Sequence, residues 1–252
     1  MKRPDSKVFR QIKTLNILYN PQKWNRLSPM DAINTPTYMR LRDQVRADII
    51  AGIWPLGAHV TLAELSSHYQ VSANPVREAL LQLQGEGVVA MRMNRGAVIP
   101  FVDAKYIDNL YRLRGAIQSM LVRDAARAAT PAQVEHMQTL LAEYEIAAQS
   151  NDTARCVEAN RDLHRYIDGI GDNQMAVDLM RGRSSLADAF RRTVGYGSGR
   201  LALVVAQHRH IVQAIAASDE VAAARAALLH TDSSREDLLA MFRKSRPDFR
   251  AT

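Results

Sequence analysis

From residue 38 onward the apolar side chains fall into short runs with helical spacing, separated by tight polar, glycine or proline punctuation. Leu41, Val45, Ile49 and Ile50 share one face of a helix that reaches about Ala51 and stops at Gly52. Pro55-Leu56-Gly57 predicts a turn, and Thr61 followed by Glu64 predicts a capping box opening a second helix to about Tyr69. Asn74 then Pro75 reads as an N-cap with proline at the first helical position, so a third helix is expected over 75–86, burying Val76, Leu80 and Leu83. Two apolar stretches, 88–93 and 97–100, flank Asn94-Arg95-Gly96 and predict a β-hairpin. Three helices and a hairpin within about 64 residues make a winged helix-turn-helix, whose third helix enters the DNA major groove while the hairpin tip reaches the backbone or minor groove.

Beyond Asp103 the pattern is helical almost throughout. A helix over 106–129 places Ile107, Leu110, Leu113, Ile117 and Leu121 along a stripe. Thr130-Pro131-Ala132-Gln133 repeats the helix-start signal, and further helices are expected at about 131–149, 153–170, 173–194, 201–217 and 219–244. Asp152, Asp172 and Ser218 are the expected caps, and Gly195 to Gly199 is the clearest flexible link. The fold class is therefore mainly α, an N-terminal winged helix-turn-helix over 38–101 followed by an all-helical antiparallel bundle of about six helices over 102–245.

Charge alters this picture unevenly. The 252-residue chain carries a formal +7 and a pI near 9.7, which favours an anionic partner such as nucleic acid. Residues 1–37 hold +5 of it, 38–101 hold +1 and 102–252 hold +1. The first stretch, with Pro4, Pro21, Pro29 and Pro36, reads as a flexible basic extension, and 246–252 as a C-terminal tail. One cysteine, Cys156, excludes an intrachain disulfide framework. No apolar run reaches about 18 residues, and the N-terminus lacks a secretory h-region, so a cytoplasmic protein with no membrane partner is expected.

Three of the seven histidines stand where chemistry can gather. Asn160 and His164 are four apart and share a helix face; His208 precedes Ile211 and Ile215 on one stripe; His230 lies on the last helix. Spacing alone fits ordinary core or surface histidines.

The run Val71-Ser-Ala-Asn-Pro-Val-Arg-Glu-Ala-Leu80, with Leu83, Glu86-Gly87-Val88 and Asn94-Arg-Gly-Ala97, resembles the GntR family of bacterial transcription regulators. The helical half that follows resembles the FadR subfamily with its FCD-type effector domain, the likeness covering roughly 38–241. The resemblance implies a homodimeric, metabolite-responsive repressor of double-stranded operator DNA. It implies DNA contacts from Ser72, Asn74 and Arg77, with Arg95 at the wing; an arginine fork can read guanine O6 and N7. Ala73 stands where relatives place a DNA-touching arginine, so the resemblance implies one lost charge-assisted contact, and Ala63 stands where some relatives place another arginine.

In the helical half the resemblance implies a divalent transition metal, zinc first with nickel or manganese as alternatives, held by Asn160, His164, His208 and His230. A site with asparagine and no anionic ligand favours a small carboxylate metabolite completing the shell, with Arg114 as its bidentate partner. Gln118 stands where relatives often have glutamate. Two other readings are an architectural DNA binder without effector control and a metal-dependent hydrolase. The hydrolase needs a general base, and Asp168, beside the helix-ending Gly169, reads as a solvated charge.

Overall fold

The computed structural model describes residues 35–92 and 95–245. The expected extension over 1–37 falls almost wholly outside these residues, as do the tail over 246–252 and the hairpin-tip residues Met93 and Asn94. The elements run α1 (Thr37–Ala51), β1 (His59–Val60), α2 (Leu62–Tyr69), α3 (Ala73–Gly85), β2 (Ala90–Arg92), β3 (Gly96–Val98), α4 (Ala104–Ala128), α5 (Pro131–Gln149), α6 (Thr153–Ile170), α7 (Gln174–Val194), α8 (Arg200–Ala216) and α9 (Glu220–Ser245).

The winged helix-turn-helix forms as the pattern requires. Thr61 accepts from the Glu64 amide at 3.1 Å while Glu64 accepts from the Thr61 amide at 2.8 Å, which closes the predicted capping box. Val76, Leu80 and Leu83 are fully buried, each stabilising the fold by roughly 1.5–3 kcal/mol. The hairpin pairs antiparallel with Ala90 opposite Val98 and Arg92 opposite Gly96. A strand absent from the sequence reading, β1, adds to the other edge and gives the order β1-β3-β2. Two residues cannot display a period of two, so β1 leaves no pattern to find.

The start of α3 differs from expectation. The helix begins at Ala73 with Ser72 at the N-cap, so Asn74 and Pro75 occupy the second and third helical positions. Proline is tolerated there because the first-turn amides have no intrahelical partner. Ser72 makes no side-chain capping hydrogen bond, which leaves its hydroxyl and the first amides of α3 unengaged by a cap.

Six helices, α4 to α9, form the second half. Thr130 and Gln133 make the predicted reciprocal capping box, and Asp152 caps α6 by accepting from Ala154 N and Arg155 N at 2.9 and 3.2 Å. Two other caps shift by one residue. Asn173 rather than Asp172 accepts from Ala176 N, and Asp219 rather than Ser218 accepts from Ala222 N. Asp172 and Ser218 instead adopt positive φ, 54° and 53°. Leu113 leaves the expected core stripe, being 45% exposed. At 100° per residue it lies about 160° from the centre of the buried face that runs through Ile107, Tyr111, Gly115, Gln118 and Val122.

The two halves share one apolar core. Leu41, Val45 and Leu83 cluster with Leu186, Ala187 and Phe190 of α7 and Leu238 of α9. At the seam Gly182 lies so close to the end of α3 that a Cβ would stand 2.3 Å from the Glu86 carbonyl oxygen. Glu86 is also ion-paired to Arg46 of α1. A side chain at 182 would force α7 off the recognition helix.

Candidate functional site

The candidate nucleic-acid face is the exposed end of α3. Ser72, Asn74 and Arg77 are all exposed there, while Val76, Ala79 and Leu80 anchor the opposite side in the core. Arg77 makes no ion pair with a described residue, its neighbour Glu78 included. Arg95 is exposed at the wing, its amide donating to Arg92 O at 3.0 Å. A helix N-terminus with unengaged amides and a nearby cation is suited to phosphate and base edges.

The second constellation lies in the bundle. α6 presents Asn160 and His164 on one face, α8 contributes His208 and α9 contributes His230. The three imidazoles are buried, and their ligand nitrogens lie within 4.8 Å of one another. His164 Nε2 and His208 Nε2 are 3.2 Å apart. Two nitrogens bound tetrahedrally at the usual zinc distance lie about 3.3 Å apart, so the spacing matches a zinc-sized ion. His230 Nδ1 donates to Gln207 Oε1 at 3.1 Å, which leaves its Nε2 lone pair for a metal. His208 Nδ1 is buried with no hydrogen-bond partner among the described residues. Burial holds all three rings neutral, His208 being pushed down to about 3. Neutral imidazoles are the form that ligates metal.

Around them the sequence reading needs one correction. Asp168 is not a solvated charge: its Oδ1 is buried without a hydrogen-bond partner among the described residues, and burial raises the carboxyl to about 6. His210 is exposed and takes no part. Gln118 Nε2 donates to His164 Nδ1 at 2.7 Å, and Gln118 Oε1 accepts from Arg114 Nε at 3.2 Å.

Arg114, Asn160 and His230 line one cavity, of about 490 Å³ counted to its open mouth. Arg114 makes no ion pair with a described residue; its Nε donates to Gln118. Four charged residues not singled out from the sequence also gather here. Asp188, Arg191 and Arg200 line the cavity, and Asp237 pairs with Arg191 behind it. Gly195 to Gly199, expected as a plain link, is part of this arrangement. The Gly195 carbonyl accepts from Arg191 at 2.9 Å, and a Cβ on Gly197 would stand 2.7 Å from Asp237 Oδ1. Only the glycines of this segment hinted at a close backbone approach.

Among the described residues no helix is long and apolar enough to cross a membrane. Residues 37–99 match the family model "Bacterial regulatory proteins, gntR family", and residues 109–233 match "FCD domain". The chain is 26% identical over 212 residues to the HTH-type transcriptional repressor RspR of Escherichia coli, covering 84% of this chain and 91% of that protein. The fold matches E. coli McbR/YncC with a TM-score of 0.73 at 16% identity, over 84% of this chain and 99% of that one. It also matches a putative GntR regulator of Rhodococcus sp. RHA1 with a TM-score of 0.66 at 21% identity, over 82% and 99%. These models and relatives describe transcription regulators, not enzymes. With the two models spanning most of the chain in this order, the protein belongs to the GntR family of bacterial regulatory proteins, a DNA-binding helix-turn-helix ahead of an FCD domain.

Proposed function

We propose that this regulator is a homodimeric, FadR-subfamily repressor released from operator DNA by a small organic acid bound at a metal site in the helical half. The observation that carries the reading is one cavity lined by Arg114, Asn160 and His230 and continuous with the buried histidine cluster. His164, His208 and His230, with the Asn160 amide oxygen, would hold a divalent ion, zinc first and nickel or manganese next. When bound, that ion supplies Lewis-acid ligation for a carboxylate. Arg114 orients the same carboxylate by a bidentate pair, and Tyr111, whose ring centre lies 5.7 Å from the guanidinium carbon, limits its swing.

On DNA, Arg77 reads a base edge while Ser72, Asn74 and Arg95 hold phosphates. Leu113 of α4 with Leu228 and Leu229 of α9, exposed by 45–57%, supports pairing with a second copy. Two recognition helices then meet half-sites about one helical turn apart, ~34–36 Å. Coupling runs through α7, which carries Asp188 and Arg191 at the cavity and Gly182 against the end of α3. A coupling of ~1–3 kcal/mol changes operator occupancy roughly 5- to 150-fold.

The test is calorimetric titration of acetate and larger organic acids into chelator-stripped and zinc-loaded protein, with and without His208→Ala. Operator fragments selected from random duplex DNA report release in parallel. Zinc-dependent binding that is lost in the variant and weakens DNA affinity supports the reading. Acid binding unaffected by zinc or by His208→Ala overturns it, and a regulator bound equally with and without every acid is a constitutive DNA binder.

A further inference from the structure

The cavity has two unlike ends. Along α8, Arg200, Val204 and His208 recur every fourth residue and are all buried, so they form one stripe. Two turns separate Arg200 from His208, about 12 Å of rise. α9 runs the other way beside it: His230 meets His208 with ring centres 4.7 Å apart, and Ser234 accepts from Arg200 Nη2 at 2.8 Å. Imidazoles therefore mark one end and guanidinium groups the other.

The guanidinium end is short of negative charge. Arg191 is 7% exposed, paired with Asp237, and its guanidinium carbon lies 4.6 Å from the Tyr196 ring centre. Arg200 is 4% exposed; its Nη atoms donate to the Ser233 and Ser234 hydroxyls, and it reaches the same Asp237 only at 4.0 Å. One carboxylate thus serves two buried guanidiniums. Arg200 Nε has no hydrogen-bond partner among the described residues. Asp188 lines the cavity but makes no ion pair within 4 Å with a described residue. A buried cation that shares its counterion with another and has an unmatched donor is costly, and an arriving anion removes that cost. Arg114, nearer the histidines, is then free for a separate group.

We propose that the Arg191–Arg200 end is a second anion subsite, so that the effector is a dianion carrying one carboxylate at Arg114 and the histidines and a second anionic group at Arg200. This rests on the effector reading above. Dicarboxylates and phosphorylated acids share the required chemistry.

Titrations into zinc-loaded full-length protein compare succinate and glutarate with butyrate and valerate, and with 3-phosphoglycerate as the phosphate-bearing arm. A dianion is expected to bind roughly tenfold or more tighter than the monoacid of its length. Whether the best binder is a dicarboxylate or the phosphate-bearing acid identifies the second group. Arg200→Gln should bring the dianion down to the monoacid affinity. Ser234→Asp, which keeps the Arg200–Asp237 pair and adds a carboxylate beside it, should do the same, and it decides the matter if Arg200→Gln does not fold. Equal affinities for monoacids and dianions in the native chain, or an unchanged ratio in Ser234→Asp, overturns the second subsite alone. Absence of binding by every acid in the zinc-loaded chain overturns the effector reading and the subsite with it.

Discussion

Lowering the pH of the metal-free protein should unfold it through its three buried histidines. An unfolded imidazole titrates near 6.5, whereas His208 in the fold is pushed down to about 3 and His164 and His230 lie well below the ordinary value. Above 6.5 both states are neutral and the rings contribute no pH dependence. Below it the unfolded chain takes up protons that the folded chain refuses, so stability falls, for His208 down to about pH 3. At pH 5 His208 alone costs about 2 kcal/mol, and His164 and His230 add to the loss in the same direction. Asp168 acts in the opposite direction. Its folded carboxyl, raised from 3.8 to about 6, holds a proton that the unfolded chain releases, which returns about 1 kcal/mol at pH 5. The loss counts against a total stability of only ~5–15 kcal/mol for ordinary domains. Urea titrations of chelator-treated full-length protein between pH 7.5 and 5 measure it directly. His164→Gln and His230→Gln should each flatten the slope by about one proton. A stability that stays level over that range would refute the reasoning, because the rings would then be accepting protons inside the fold.

Other substitutions test the remaining contacts. Arg77→Ala should cost about 1–3 kcal/mol of operator affinity and relax preference at one base pair; a uniform loss across all sequences would make Arg77 a phosphate contact. Gln118→Glu should raise zinc affinity by about tenfold or more in competition with a chromophoric chelator, because a carboxylate accepts the His164 Nδ1 proton that an Nε2-bound metal requires. Gly182→Ala should lower the urea-derived stability by about 1–3 kcal/mol, since its Cβ would stand 2.3 Å from the Glu86 carbonyl oxygen; an unchanged value would mean that α7 separates from α3 without cost.

Local signals carried most of the architecture. The Thr61–Glu64 and Thr130–Gln133 boxes are spelled within four residues, and both form. The register of α3 was less legible because Asn74-Pro75 and Ser72 offer competing starts two residues apart. Leu113 misleads because a leucine on a helix is as compatible with an exposed face as with a core. Spacing placed Asn160 and His164 together, but their meeting with His208 and His230 depends on three helices and was implied only by resemblance. The guanidinium end of the cavity was invisible for a related reason. Arg191 and Asp237 are 46 residues apart, and neither carries a periodic cue to the other.

The tight seam at Gly182 has a consequence for engineering and descent. A chimera that keeps the DNA-reading half of this chain but imports another sensor inherits an orphaned surface on Glu86, Arg46 and the apolar residues beneath them. The imported bundle must bring a helix with a small residue at the same height, or its own signal will have no grip on the recognition helix. Interchange of sensors is therefore constrained less by the joint between the halves in sequence than by one missing methyl group at Gly182, about eighty residues downstream of that joint.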